Sequence, residues 1–286
     1  MTHILLTNDD GIEALGLRVL LRAVKPLAQV TLFAPDHNWS AAGHTKTMHK
    51  PLRVSEYSFA GRLSNSAEHK PTNEAGSPLG ETFGEGVVAY TTTGAPSDCV
   101  ALALLGILHD KPDLVVSGIN QGPNLGYDLT YSGTVAAAME AVIFGLPAVA
   151  ISLDSYERPD FDYAGQVAAL IIQWVVERGL PTGTFLNVNV PCRAPAEIRG
   201  VTITRLGRRV YRDVLIKRQD PRGRPYYWIG GEPPGGHLDE GTDIWAVANG
   251  YVSITPIHLD MTAHDLIPKL EGWIVDDWRA QIDRLP

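Results

Sequence analysis

Two carboxylates stand side by side at Asp9 and Asp10, between Asn8 and Gly11, directly after an apolar run at 3–8. Adjacent carboxylates repel each other unless a cation neutralises them. Hard cations such as Mg²⁺ or Mn²⁺ favour such oxygen ligands. The bland alternative is a helix N-cap, a position that Asn and Asp favour on local grounds. A second polar cluster runs from Asp36 through His37, Asn38, Trp39 and Ser40 to Gly43 and His44. Ser40 could ligate a metal or touch phosphate, but it lacks the G-x-S-x-G setting of an activated nucleophile. His44 could exchange protons or donate to phosphate. A plain polar turn would also account for the segment.

The third cluster is the glycine-rich run from Ser117 to Asp128, followed by Tyr131-Ser132-Gly133-Thr134. Glycine-rich loops let backbone N–H groups approach an anion. Ser132 fits an N-cap ahead of the alanine-rich run 135–144, and a helix N-terminus is a natural phosphate site. The alternative is a glycine-rich connection needed only for geometry. Neither the Walker pattern nor G-x-G-x-x-G with a downstream acid is present, so the usual modes of ATP or NAD binding are unsupported.

Positioning these clusters requires strands that end where they begin. Segments 3–8, 29–34, 87–92, 113–117, 148–152 and 185–190 read as strands, and 12–24, 97–109, 133–144 and 161–178 as helices. That alternation predicts an α/β fold with a mostly parallel sheet and helices on both faces. The three clusters then fall at carboxyl ends of strands, where open α/β sheets bind ligands. An acidic pair, an amide-bearing loop and an anion-ready helix start form the inventory for metal-assisted phosphoryl hydrolysis. Residues 57–86, rich in Ser, Gly, Pro, Asn and Glu, read as a mobile insertion. Residues 200–257 read as extended segments (201–205, 225–229 and 251–255) separated by turns. Lacking intervening helices, they suggest hairpins projecting from the domain, with a final helix within 262–284.

The 286 residues suffice for one large α/β domain or a domain with an appendage, and the apolar fraction of 44% is ordinary for a globular chain. A net charge of −8 argues against a nucleic-acid polymer partner but not against small phosphorylated substrates beside a metal. Cys99 and Cys192 have no metal-ligand spacing and read as reduced thiols. No signal peptide or membrane span is evident, and the expected location is the cytoplasm.

The motifs resemble the SurE family, the survival-protein nucleotidases. The matching stretches are TNDDG at 7–11, APDHNWSAAGH at 34–44, TTGAPSDCV at 92–100 and SGINQGPNLGYDLTYSGTVAAAMEA at 117–141. NVNVP at 187–191, QDPRGRPYYWIG at 219–230 and GYVSITPIHLDMTAH at 250–264 also match. The resemblance implies a Rossmann-like catalytic domain over 1–200 and a C-terminal β-hairpin extension over 201–286 that forms a homodimer or homotetramer. It implies 5′-nucleotidase activity on nucleoside monophosphates, with broader phosphatase or exopolyphosphatase side activity. It implies one divalent metal ion held by Asp9, Asp10, Ser40 and Asn120, of which Asp9, Asp10 and Asn120 are also the catalytic set. Asn8, Gly43, His44, Ser132, Gly133 and Thr134 match residues lining the phosphate pocket. Departures are the long 57–86 segment, Ala42, and Ala141 where a glycine is common; none removes a ligand. The rivals from other classes are a non-catalytic nucleotide sensor on the same fold and a purely structural assembly protein. The retained pair Asp9–Asp10 favours an enzyme.

The basic run from Arg205 to Arg224, followed by Tyr226, Tyr227 and Trp228, has the composition of an interface. The bland alternative is a solvated hairpin face. The sharper expectation carries some of these arginines across a two-fold axis to a partner.

Overall fold

All five residues of strand β1 (His3–Thr7) are buried, as a strand covered on both faces requires. Side chains alternate between those faces. Ile4 and Leu6 enter one core with Leu17, Leu20, Leu21 and Val24 of helix α1 (Leu15–Val24) and Ala168, Ile171 and Ile172 of α4 (Asp162–Arg178). Leu5 enters the other core. There it meets Cys99 and Val100 of α2 (Pro96–Leu102), and Val135, Ala137 and Ala138 of α3 (Gly133–Ile143). Burying each Leu or Ile stabilises by roughly 1.5–3 kcal/mol, so a one-residue slip of β1 would exchange both cores at once.

The computed structural model describes residues 1–59, 86–157, 159–211, 213–231, 235–274 and 278–285. The insertion expected over 57–86 lies, for 60–85, outside the described residues. Its described start is not loose: Tyr57 and Phe59 pack against the core and meet edge to face, with ring centroids 5.1 Å apart.

Nine strands form the main sheet, in the order β3-β4-β2-β1-β5-β6-β7-β13-β8. They are β2 (Gln29–Pro35), β3 (Val54–Glu56), β4 (Val88–Thr92), β5 (Leu114–Gln121), β6 (Ala148–Asp154), β7 (Thr184–Pro191), β8 (Gly200–Ile203) and β13 (Tyr251–His258) beside β1. The six strands β4-β2-β1-β5-β6-β7 are parallel throughout. The chain winds outward from β1 through β2 to β4, then returns to β5 on the other side of β1. That reversal makes the crevice between the carboxyl ends of β1 and β5 the topological switch point, where such sheets bind ligands. The β5–β6 register shifts between Ser117 and Asn120, an irregularity of the kind that re-aims side chains beside sites.

The C-terminal third differs from its sequence expectation. Strands β8 and β13 are not arms of projecting hairpins. Strand β13 pairs antiparallel with β7, Ser253 opposite Asn189, and β8 pairs parallel with β13. The main sheet therefore draws strands from both sides of position 200. A free-standing hairpin does exist, formed by β10 (Asp213–Gln219) and β11 (Pro225–Gly231). The short pair β9 (Arg209–Val210) and β12 (Gly235–Gly236) lies at its base. Helix α5 (Asp243–Ala248) precedes β13. Within 262–284, where a final helix was expected, two short helices are described, α6 (Ile267–Glu271) and α7 (Trp278–Ile282). Helix α2 runs on as a wider turn at Ala103–Ile107, broken at Gly106 with φ 134°. Both cysteines are free. Among the described residues no helix is long and apolar enough to cross a membrane.

Candidate active site

The acidic pair sits at the switch point. Asp9 is buried and Asp10 half-buried at the end of β1. Asn8 shapes their loop: its Nδ2 donates to the Gly11 carbonyl at 2.9 Å, and its Oδ1 accepts from the Gly11 N–H at 3.2 Å. Both polar atoms of Asn8 are thereby spent on the turn.

Helix α3 begins against Asp9. Ser132 caps it, its Oγ accepting from the Val135 N–H at 3.1 Å, the N-cap role its position suggested. The Thr134 hydroxyl donates a short hydrogen bond to Asp9 Oδ1. A Cβ on Gly133 would stand 2.7 Å from Asp9 Cβ and 3.0 Å from its Oδ2. Only glycine lets the helix start approach this closely. The positive end of the helix thus faces the most buried carboxylate of the pair.

Asp10 is held from two other segments. Asn38 Nδ2 donates to its Oδ1 at 3.1 Å, and the Gln121 N–H to its Oδ2 at 3.3 Å. The same Asn38 accepts from the Ser40 N–H at 2.7 Å, so one amide links Asp10 to the Ser40 loop. The Trp39 N–H donates to the Asp9 carbonyl at 2.7 Å. Asn120, next to Gln121, donates from Nδ2 to the Gly122 carbonyl at 2.8 Å. That bond fixes its amide and leaves Oδ1 as an acceptor. Asp9, Asp10, Asn120, Ser132, Gly133 and Thr134 are therefore gathered at one edge, with Ser40 joined through Asn38.

Gly43 and His44 belong to the same loop, and their described bonds run to Tyr131 and Glu140. The Gly43 N–H donates to the Tyr131 carbonyl at 2.9 Å. His44 Nε2 lies 3.0 Å from Glu140 Oε2, and Lys46 Nζ donates to Glu140 Oε1 at 2.7 Å. Thr47 then binds Asp98 twice, N–H to Oδ1 at 2.9 Å and hydroxyl to Oδ2 at 2.7 Å. Glu140 and Asp98 are both buried, so the loop carrying Ser40 is riveted to α3 and α2. Sequence reading missed Glu140, Lys46 and Asp98 as parts of this assembly. The one usable signal was Glu140, an acid in an otherwise apolar run.

Electrostatics separate the pair from its surroundings. Burial raises the Asp9 carboxyl above its ordinary range, although the Thr134 hydroxyl and the N–H groups of Thr134 and Gly133 oppose it. Burial and then the Asp9 charge push Asp10 up to about 6. Among the described residues neither carboxylate forms an ion pair with a Lys, Arg or His side chain. Among the described residues no three His, Cys, Asp or Glu side chains converge on a metal site. A cation held here would draw on the carboxylates together with amide and hydroxyl oxygens such as those of Asn120 and Ser40. Hard divalent cations suit that donor set.

The chain is similar to known proteins along nearly its whole length. The family model described as survival protein SurE matches residues 4–213. The 5′-nucleotidase SurE of Chloroflexus aggregans is 48% identical over 273 residues, covering 95% of this chain and 98% of that protein. The 5′-nucleotidase SurE of Herpetosiphon aurantiacus is 47% identical, covering 94% and 96%. The crystal structure of the SurE protein from Aquifex aeolicus superposes with a TM-score of 0.76 at 40% identity. It covers 95% of this chain and 99% of that one.

Proposed function

The chain belongs to the SurE family and is a 5′-nucleotidase, a phosphoric monoester hydrolase, and from that premise we propose that the cleft between β1 and β5 is its active site. The observation that carries the reading is the uncompensated pair Asp9–Asp10 beside the N-terminus of α3. The substrates are nucleoside 5′-monophosphates.

Asp9, Asp10, Asn120 and Ser40 would hold one divalent cation, Mg²⁺ or Mn²⁺. Such an ion supplies Lewis-acid stabilisation of charge on the phosphoryl oxygens. Asp9 and Asp10 fix its place, and Asp10, the less buried of the two, also orients the attacking water. Asp9 suits a ligand better than a nucleophile, because Thr134 already occupies its Oδ1. The N-terminus of α3, whose Gly133 and Thr134 N–H groups are shared with Asp9, offers its positive end to the equatorial oxygens as charge develops. Asn8 keeps the carboxylate turn in shape, and Ser132 keeps the helix start in place. Gly43 and His44 bound the phosphate pocket on the side held by Tyr131 and Glu140.

Self-association into a homodimer, or a tetramer of dimers, forms part of the same reading. The hairpin β10–β11 exposes Leu215 at 67%, Trp228 at 60% and Ile229 at 81%. An isolated two-stranded hairpin is marginal in water, and an apolar surface of this kind marks an interaction site. Arg209 does not reach outward: its Nε pairs with Asp128 of the same chain at 2.7 Å. The interface therefore rests on the apolar residues rather than on that arginine.

Release of inorganic phosphate from AMP, followed with Mn²⁺ and with EDTA, tests the site. Turnover should require the cation. Undiminished turnover in EDTA would remove the metal from this reading.

A further inference from the structure

The phosphate end of the proposed substrate is accounted for above; the base end is not. Gln121 links the two regions. Its N–H donates to Asp10 Oδ2 at 3.3 Å, and its side-chain Nε2 donates to the Tyr156 carbonyl at 2.7 Å. The loop after β6 is thereby tied to the carboxylate end of the cleft. The Tyr156 ring rests on Gly122, where φ is +106° and an added Cβ would stand 2.5 Å from ring atom Cε1. Position 122 therefore leaves both the backbone freedom and the space that seat the ring. Yet Tyr156 remains 65% exposed. A tyrosine is positioned by its neighbours while much of its ring has no protein partner.

The reach is suitable. A contact path runs from Asp10 through Gln121 and Gly122 to the ring. With consecutive Cα atoms about 3.8 Å apart, it sets the ring at most about 12 Å from the carboxylate, within the compass of a mononucleotide. The phenol is held protonated. Burial raises its pKa, Arg209 opposes, and Asp128 and Asp154 add to the rise. The surface offered is a neutral aromatic ring, which stacks on any base without selecting one by hydrogen bonds.

We propose that Tyr156, seated on Gly122 and tied by Gln121 to the Asp10 end of the cleft, is the stacking platform for the nucleobase of the substrate. The inference rests on the nucleotidase reading and sharpens it: the enzyme recognises the base by stacking, and a phosphate ester without a base lacks that contact. Tyr131, also exposed, is nearer Ser132 in sequence, but its carbonyl is tied to the Gly43 N–H and no bond on it leads to Asp10.

The test compares AMP with ribose 5-phosphate, which keeps the ester and sugar and lacks the base. Phosphate release in Mn²⁺ is measured for the parent protein, Tyr156→Ala and Tyr156→Phe. The ratio of kcat/KM for AMP over ribose 5-phosphate should fall about tenfold in Tyr156→Ala, through KM for AMP, and return in Tyr156→Phe. A ratio in Tyr156→Ala within about twofold of the parent would overturn the platform. So would parallel losses on both substrates, which would make Tyr156 a prop for its loop. A parent protein that cleaves neither ester would defeat the nucleotidase reading instead. The platform would then be decided by calorimetric binding of AMP to parent and Tyr156→Ala, where equal affinities overturn it.

Discussion

Two kinds of buried or half-buried carboxylate occur in this molecule. Glu140 and Asp243 are satisfied. Glu140 is met by His44 and Lys46, and although burial pushes its carboxyl upward, these two partners win and hold it below its ordinary value. Asp243 accepts from the N–H groups of Gly126 at 2.7 Å, Gly207 at 2.7 Å and Ile244 at 2.8 Å. Asp9 and Asp10 differ: burial raises both despite their hydrogen bonds, and the Asp9 charge adds to the rise of Asp10. A buried charge that is fully paired holds a scaffold together. One left short of positive charge costs stability and persists where something else brings the charge. The contrast supports the proposed active site independently of any motif.

The comparison breaks most visibly at Asp9. Asp9→Asn should lower phosphate release from AMP by about 10²–10³-fold, the usual cost of losing one electrostatic group at a reacting centre. Its urea midpoint should stay at or above that of the parent, since the substitution removes a repulsive buried charge. A variant with parental turnover would show that the pair is not the site. A variant that unfolds would show that Asp9 is a scaffold acid like Asp243.

Asp243→Ala should do the reverse. It strands three backbone N–H groups that now share one carboxylate. Hydrogen bonds to charged groups contribute about 1.5–3 kcal/mol each and do not add fully, so a loss of about 3–5 kcal/mol in urea unfolding is expected. Because Asp243 joins the turn at Gly126 to the segment at Gly207, the loss should also loosen the approach to Ser132. Glu140→Gln should be milder, about 1–3 kcal/mol. It keeps the shape and one acceptor while weakening the bonds to His44 and Lys46, and Lys46 can turn to solvent.

Much of this was legible in the sequence, and the limit has a physical form. The parallel strands and the helices covering them announced themselves because both faces of β1, β2 and β5 are buried and so read as apolar runs. Asp9, Asp10 and Ser132 stood out because each has a local signature, a strand end or a cap; Gly133 came only from the family resemblance, since its close approach is to Asp9 in a distant segment. Strand β13 was recognised as a strand but misplaced. Its residues show that it extends, not that it pairs with β7, Ser253 opposite Asn189 and His258 opposite Thr184. The satisfied acids were hidden for the same reason. Glu140 meets residues 94 and 96 positions away, and Asp243 meets Gly126 across 117. Pairing across such separations is settled by the folded topology, which no local pattern reports.

The smallest effect is also the sharpest test of the contrast, because Asp10 and Glu140 carry opposite pH signs. Asp10 binds its proton more tightly when folded, its pKa moving from 3.8 to about 6. Between those values the folded chain holds a proton that the unfolded chain has released. Stability therefore falls as pH rises through that window. Glu140 is lowered. The stability it contributes is present above its unfolded pKa and is lost as pH falls through the folded one. In EDTA, the melting temperature of the parent should carry a downward component from pH 4 to 6 due to Asp10. Asp10→Asn should remove that component, while Glu140→Gln should leave it in place and flatten the acid limb below. Mn²⁺ binds the ionised pair, so the melting temperature it adds should grow with pH across the same window and shrink in Asp10→Asn. An Asp10→Asn profile parallel to the parent's in EDTA would mean that Asp10 is already compensated within the chain, and the distinction between the two kinds of carboxylate would fail at its weaker member.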